Sequence, residues 1–525
     1  MTYLPEEASL FQGNSYMYMV KAKLSLLFAI ICLFTSCKEK TNPNNGDPTP
    51  SAPTAISLSL SAVQADAVGG KYDLTITSPA RPKVTGMPDW ITVTDGTFKD
   101  YKISVTLNVA ANSTYDVREA VLTVSASGVS DVPLTVTQAG REEVKDPALP
   151  DNTAVQRTLQ LGLGWNMGNH FDAYSNGVAS ETAWGGTPAT QATFTGVKAA
   201  GFSTVRIPVT WLGHIGEAPD YTLDEAWLNR VYEVVEYAEN AGLNVILNTH
   251  HDEDHGDGHW LNLAGAYNSE DTNTQIKQEI AAVWTQIADK FKDKGDFLML
   301  ESFNELIYGD QWSIGSQPEK KGQIINEWNQ VFVDAVRATG GNNATRWLGV
   351  PGYAASPQYL KYVTIPTDPA NKTMVAFHCY DPYDYTIGEK QLANWGHTGT
   401  SFPRGEEEIK DLFNGLYNTY IANNIPIYMG EFGCSMRNYA DRKAWAYYLY
   451  YMEYFVKAAR VFGIPAVLWD NENEGYGQEH HPYINHGTGE YIDHSKEVVD
   501  VMVKAWFTSS DSYTLDSVYS SAPVF

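Results

Sequence analysis

The stretch Leu298-Met299-Leu300-Glu301-Ser302-Phe303-Asn304-Glu305 opens as an apolar run and closes on a carboxylate. Residues 425–431, IPIYMGE, repeat the pattern and close on Glu431. A short apolar run of this kind reads as a buried strand. A carboxylate has little reason to end such a strand unless something there uses it. In a (β/α)8 barrel the strand C-termini converge on one face, so Glu305 and Glu431 would meet across a single pocket.

Working outward, six more runs complete the set: 161–168, 204–209, 244–250, 346–352, 374–380 and 466–471. Amphipathic segments lie between most of them. In 228–242, Val231, Val234, Val235 and Ala238 recur at helical spacing, with Asp224 and Gly242 as start and stop signals. The fold expected over 151–525 is therefore α/β, a (β/α)8 TIM barrel with elaborated loops. A doubly wound sheet is the alternative, but no glycine-rich phosphate turn follows the first strand. Beside the two glutamates, the strand ends collect Asn169, Arg206, His250, Asn304, His378, Tyr380 and Trp469. Paired carboxylates flanking a sugar–sugar bond are the equipment of glycoside hydrolysis.

Residues 54–140 follow a different rule. Apolar and polar residues alternate in ISLSLSAV, KYDLTIT, WITVT, YKISVTLNV, EAVLTVSAS and VPLTVTQ, separated by turn residues. This predicts a small all-β, immunoglobulin-like sandwich ahead of the barrel. Trp90 is expected in its core. The few exposed-looking aromatics favour a spacer over a sugar-binding platform, and both readings stay open. Residues 141–150, charged and containing proline, read as a linker.

The N-terminus reads as a leader over 1–37. Lys21 and Lys23 precede an apolar core, Leu24 to Phe34, that is too short to span a bilayer. It resembles a bacterial lipoprotein signal, which implies lipidation at Cys37 and translation starting near Met19. Residues 38–53, rich in Pro, Asn, Thr and Ser, would form a flexible tether. The expected location is extracytoplasmic, with the lipid the only membrane contact, at the outer membrane or cell surface of a Gram-negative bacterium.

Composition narrows the partners. With 36 Lys and Arg against 62 Asp and Glu, the net charge of −26 repels phosphate backbones and argues against nucleic acid. Thirty-two tyrosines and fourteen tryptophans exceed what a core needs and suit a polysaccharide substrate. Cys379 and Cys434 are the cysteines outside the leader; free half-buried thiols are favoured over a bridge. The run HHDEDHGDGHW at 250–260 lacks metal-site spacing, so cleft lining that includes Trp260 is expected. No metal, no cofactor and a monomer are the expectations.

Taken together, Phe303-Asn304-Glu305, Gly430-Glu431-Phe432-Gly433, Val205-Arg206-Ile207-Pro208, Asn248-Thr249-His250-His251 and His378-Cys379-Tyr380 resemble glycoside hydrolase family 5. Residues 164–169 and 181–185 resemble its bacterial endoglucanase and xyloglucanase subgroup, and residues 90–140 resemble the BACON domain family. The resemblance implies a retaining endo-β-1,4-glucanase acting on plant cell-wall β-glucan such as xyloglucan. Glu305 would be its acid/base and Glu431 its nucleophile, with Arg206 depressing the Glu431 pKa. Asn304 would bind the sugar 2-hydroxyl, His250 and His378 would bind hydroxyls or tune the carboxylates, and Trp469 would be a stacking floor. Two rivals stand beside it, a β-mannanase on the same barrel and a non-catalytic glycan-binding protein.

Overall fold

The computed structural model describes residues 51–112, 114–141, 145–253 and 259–525. The leader, Cys37 and most of the proposed tether lie outside the described residues, as does part of the 141–150 linker. Two compact units emerge, a small all-β unit and a large one built on Thr137–Phe525.

The small unit is a sandwich of two four-stranded sheets. One sheet orders Ser57–Leu58, Gly70–Thr77, Lys102–Val109 and Ile91–Asp95; the other orders Ala62–Ala65, Val132–Gln138, Arg118–Ser125 and Lys83–Thr85. The period-two alternation turns Leu74, Ile76, Val105, Leu107, Leu122, Val124, Leu134 and Val136 inward, all of them buried. Two details depart from the expectation. ISLSLSAV breaks into two strands that join different sheets, and Trp90 is only half-buried rather than a core residue.

In the large unit eight parallel strands close into a barrel. They are β1 (Gly164–Asn166), β2 (Thr204–Ile207), β3 (Asn244–Asn248), β4 (Leu298–Glu301), β5 (Leu348–Pro351), β6 (Thr373–Cys379), β7 (Ile427–Phe432) and β8 (Ala466–Leu468). Each coincides with one of the apolar runs. The longer helices between them are amphipathic, and several start at a capping side chain. Glu225–Asn240 starts at Asp224, whose carboxylate accepts the Ala226 N–H at 2.9 Å. Such a cap contributes about 1 kcal/mol. Glu270–Phe291 starts at Ser269, carries Glu270 and Asp271 in its first turn and buries Ile276, Ile280, Val283, Trp284 and Ile287 along one stripe. Between β5 and β6 only 3-10 turns occur, Tyr353–Ala355 and Pro357–Tyr362.

Alternate residues of each strand point into the barrel, so its interior can be read from parity. Leu161, Ile246, Met299, Met374, Ala376, Tyr428 and Val467 form a separate apolar cluster there. Stepping two residues toward the C-terminal end from these positions reaches Asn248, Glu301, His378 and Trp469. Glu431 breaks the parity of Tyr428. A register shift lets Phe377 pair with Met429 but His378 pair with Glu431, so β7 holds one extra residue, Gly430. This bulge re-aims Glu431 toward the pocket. A Cβ on Gly430 would come within 3.1 Å of the His378 ring, so the bulge residue has little room for a side chain. Among the described residues no helix is long and apolar enough to cross a membrane.

Candidate active site

Arg206 organises the site. Its guanidinium is fully buried on β2 and each of its nitrogens is engaged. Nε and Nη2 donate to Glu301 Oε1 at 3.1 and 2.7 Å, Nη1 donates to Glu431 Oε1 at 2.8 Å and to Asn166 Oδ1 at 3.0 Å, and Nη2 also donates to Asn304 Oδ1 at 2.9 Å. Planar fork geometry is what allows one cation to serve two carboxylates and two amides. Burial opposes the charge on Arg206, yet Glu301 and Glu431 outweigh it and hold the pKa above its ordinary value.

Glu431, at the end of β7, is held at both oxygens. Arg206 occupies Oε1, and the Tyr380 hydroxyl donates to Oε2 at 2.9 Å. The expected depression of its pKa is not the net outcome. Burial dominates and raises it, while His378 and Arg206 pull in the opposite direction.

Glu305 lies just past β4 and is more open, with a side-chain exposure of 18%. His378 Nδ1 lies 2.7 Å from Glu305 Oε1 and 3.6 Å from Glu431 Oε2, so this ring stands between the two carboxylates. One oxygen of Glu305, one of Glu431 and a ring nitrogen of His378 lie within 4.8 Å of one another. Burial lowers the His378 pKa to about 4, so the ring is neutral near pH 7.

His250 follows β3 and accepts from Asn248 Nδ2 at 3.3 Å through Nδ1. That contact leaves the proton on Nε2, which faces Glu431 Oε1 at 3.9 Å. Burial and then the neighbouring His251 hold His250 well below the ordinary histidine pKa. Its ring lies parallel to Trp469 at an interplanar angle of 4°, with centroids 5.8 Å apart. Gly168 packs so closely on Trp469 that a Cβ would come within 2.7 Å of the indole.

Arg206, His250, Asn304, Glu305, His378, Tyr380, Glu431 and Trp469 thus converge as the sequence suggested. Asn169 sits half-buried one residue beyond Gly168 with a left-handed backbone (φ 60°), and its backbone N–H donates to Asp172 Oδ2 at 3.0 Å.

Sequence reading missed Glu301. It is buried inside the barrel, accepts from Arg206 and from Asn248 Nδ2 at 2.9 Å, and takes the Tyr428 hydroxyl on its other oxygen. The available signal was parity, since Glu301 sits two residues beyond Met299 on the inward face.

Within the 250–260 run, residues 254–258 lie outside the described set. His251 faces Asp172 at 3.8 Å and Glu253 at 3.6 Å. Burial works against its charge, but Glu253 and Asp172 prevail and raise its pKa to about 9. The charged ring pairs with both carboxylates. Cys379 and Cys434 are free and fully buried, not half-buried.

Comparison with known proteins agrees with this geometry. The model of the Cellulase family (glycosyl hydrolase family 5) matches residues 168–475, and the BACON model matches 83–139. A xyloglucan-specific endo-beta-1,4-glucanase of Bacteroides ovatus is 32% identical over 86% of this chain and 91% of its own length. The structure of a GH5-4 broad specificity endoglucanase from Bacteroides salanitronis is 46% identical, with a TM-score of 0.66, over 70% of this chain and 99% of that one. A Bacteroidetes-affiliated GH5 cellulase linked with a polysaccharide utilization locus is 43% identical, with a TM-score of 0.69, over 71% of this chain and 98% of that one. The chain belongs to glycosyl hydrolase family 5, carries a BACON domain ahead of its barrel, and is a glycoside hydrolase.

Proposed function

We propose that the enzyme is a retaining endo-β-1,4-glucanase that cleaves internal bonds of a plant β-glucan such as xyloglucan, with Glu431 as nucleophile and Glu305 as acid/base. The observation that carries this reading is the closeness of the two carboxyl groups, one oxygen of each lying within 4.8 Å of the other. Inverting sites leave about 6.5–9.5 Å for an interposed water, whereas retaining sites bring the groups to about 5–5.5 Å.

The division of labour follows from the neighbours. Glu431 has a cation and a hydroxyl donor on its oxygens, which favour the ionised form that attacks the anomeric carbon. As the C1–O bond breaks, Glu305 passes its proton to the leaving oxygen and a glycosyl ester forms on Glu431. Glu305, now ionised, takes a proton from water, whose oxygen attacks C1 and releases Glu431. With its carbonyl on Arg206, Asn304 presents an N–H donor suited to the sugar 2-hydroxyl. His250 offers Nε2–H to a hydroxyl beside the nucleophile, and the Trp469 indole serves as the floor for the reacting sugar.

An extended substrate is supported by exposed rings. Trp184, Trp312, Tyr383 and Tyr476 are all exposed, and they lie in the segments after β1, β4, β6 and β8, on the face that carries the glutamates. The Bacteroides ovatus relative, similar across both domains, supports xyloglucan within the β-glucans. Hydrolysis is tested on xyloglucan, barley β-glucan, carboxymethylcellulose and mannan, with proton NMR of the first anomer released. The expected result is cleavage of β-glucan with the β-anomer appearing first. An α-anomer first, or activity confined to mannan, overturns the reading.

The same proposal tethers the enzyme through a lipid on Cys37 and the 38–53 segment, on the strength of the leader sequence alone. Fatty-acid labelling of the cells, lost in Cys37→Ser, tests it.

A further inference from the structure

A second polar cluster joins the first and last strands of the barrel. His170 lies in the turn after β1 and His486 in the segment after β8; both are buried, with Nδ1 atoms 3.1 Å apart. Glu472 completes the group, and one donor atom from each of the three residues lies within 4.8 Å of the others.

The placement of hydrogens on these rings is constrained. His170 Nε2 lies 2.7 Å from the Thr187 carbonyl oxygen, which can only accept, so Nε2 carries the proton and Nδ1 a lone pair. If neutral His486 answers with a proton on Nδ1, its Nε2 is bare. That Nε2 is buried, makes no hydrogen bond, and faces Asp470 Oδ1 at 3.4 Å, lone pair against carboxylate. Asp470 is fixed in place by the Trp165 indole N–H at 2.7 Å and the Ile484 N–H at 2.8 Å.

A cation resolves the conflict. With both Nδ1 lone pairs on a metal, the His486 proton moves to Nε2 and Asp470 accepts it, the carboxylate–histidine–metal pattern that supports bound ions. The nitrogen separation is close to the roughly 3.3 Å between two ligands of a tetrahedral ion bound at about 2.0–2.1 Å. Glu472 is shaped for the third position. Its backbone is left-handed (φ 55°), Oε1 accepts the His486 N–H at 2.9 Å, and Oε2 faces His486 Nδ1 at 4.0 Å. We propose that His170, His486 and Glu472 form a site for a divalent transition metal, Zn2+ fitting the donor set best, that pins the turn after β1 to the segment after β8. The ion's place is structural, since Asp470 follows Trp469 directly and carries the clamp to the floor of the pocket.

The full chain, purified without a histidine tag and stripped with a chelator, is titrated with Zn2+ by calorimetry and thermal unfolding. One equivalent is expected to bind and raise the melting temperature. Glu472→Gln, at a side chain 17% exposed, is expected to weaken binding by more than about 10-fold, the loss that even outer-shell partners give. His170→Gln is expected to abolish it; if that variant does not fold, Glu472→Gln decides alone. Absence of a bound equivalent in the wild type overturns the proposal. Unchanged binding in Glu472→Gln overturns it equally.

Discussion

Arg206 grips Glu301 through two nitrogens, Nη2 at 2.7 Å and Nε at 3.1 Å from the same oxygen. Both groups are buried, so neither charge has water to fall back on. Removing one partner of such a pair costs about 3–5 kcal/mol. Glu301→Gln is therefore expected to lower unfolding stability by that amount in urea titration, although the residue touches no substrate in the proposed mechanism. The same change leaves Arg206 to Glu431 alone and favours its ionised form. The acid limb of kcat/KM is expected to move to lower pH. A loss below about 1 kcal/mol would show that Tyr428 and Asn248 position Arg206 without the charge.

Tyr380 works on the other oxygen of Glu431. A hydroxyl donating at 2.9 Å stabilises the carboxylate over the acid. Burial already raises the Glu431 pKa, so the acid limb of the wild type is expected above the ordinary carboxylate range. Tyr380→Phe removes a donor to the ionised form and is expected to move that limb to still higher pH. A roughly 10-fold or greater loss of kcat/KM is expected near pH 5. An acid limb that stays put or moves down would detach Tyr380 from the nucleophile.

Glu305→Gln and Glu431→Gln separate chemistry from folding. Each keeps the shape of the side chain, so binding of oligosaccharide and the melting temperature are expected to survive. Each removes one of two obligatory groups, and kcat is expected to fall by about 10³-fold or more. An activated aryl leaving group needs little protonation. With such a substrate, Glu305→Gln is expected to recover bond cleavage and Glu431→Gln is not. Recovery by the opposite variant would exchange the two roles.

His251 gives a pH dependence of stability. Its folded pKa is raised to about 9, against about 6.5 in an unfolded chain. The contribution is fully present below pH 6.5 and is lost as pH rises through 9. His251→Gln is expected to be less stable than the wild type at pH 6, by roughly 2 kcal/mol after allowance for partial exposure of the ring. The gap is expected to close by pH 10. Asp172, Glu253 and Glu431 supply the field, so a pH-independent gap would assign the loss to packing instead.

The barrel was legible because each strand is an apolar run, and the runs 298–305 and 425–431 close on the two glutamates. Glu305 and Glu431 could be found that way, and Arg206 with them. Glu301 could not. Two glutamates four residues apart compete for one strand end, and the inner one matters only because β2 delivers Arg206 beside it. The bulge at Gly430 is equally silent, since a glycine before a glutamate does not announce an extra residue in a register. His170 and His486 lie 316 positions apart and meet only when β1 closes against β8. The net pKa of Glu431 was hidden for a different reason, although Arg206 does pull it down. The sequence names the charged neighbours of Glu431 but not its burial, and burial prevails.

The exposed rings make the last prediction. Trp312 and Tyr476 stand in segments after β4 and β8, and each is about half exposed. A ring kept open at that face offers its surface to a sugar unit beyond the reacting bond, and neither residue is among the groups around Glu305 and Glu431. Trp312→Ala and Tyr476→Ala are therefore expected to spare kcat on a short activated oligosaccharide. On a polymeric β-glucan each is expected to raise KM, by about 5- to 10-fold for about 1 kcal/mol of lost stacking. Effects that add in the double variant would mean that both rings engage one chain at separate positions. Equal loss on short and long substrates would place the rings at the reacting sugar itself, and no loss on either would remove them from the cleft.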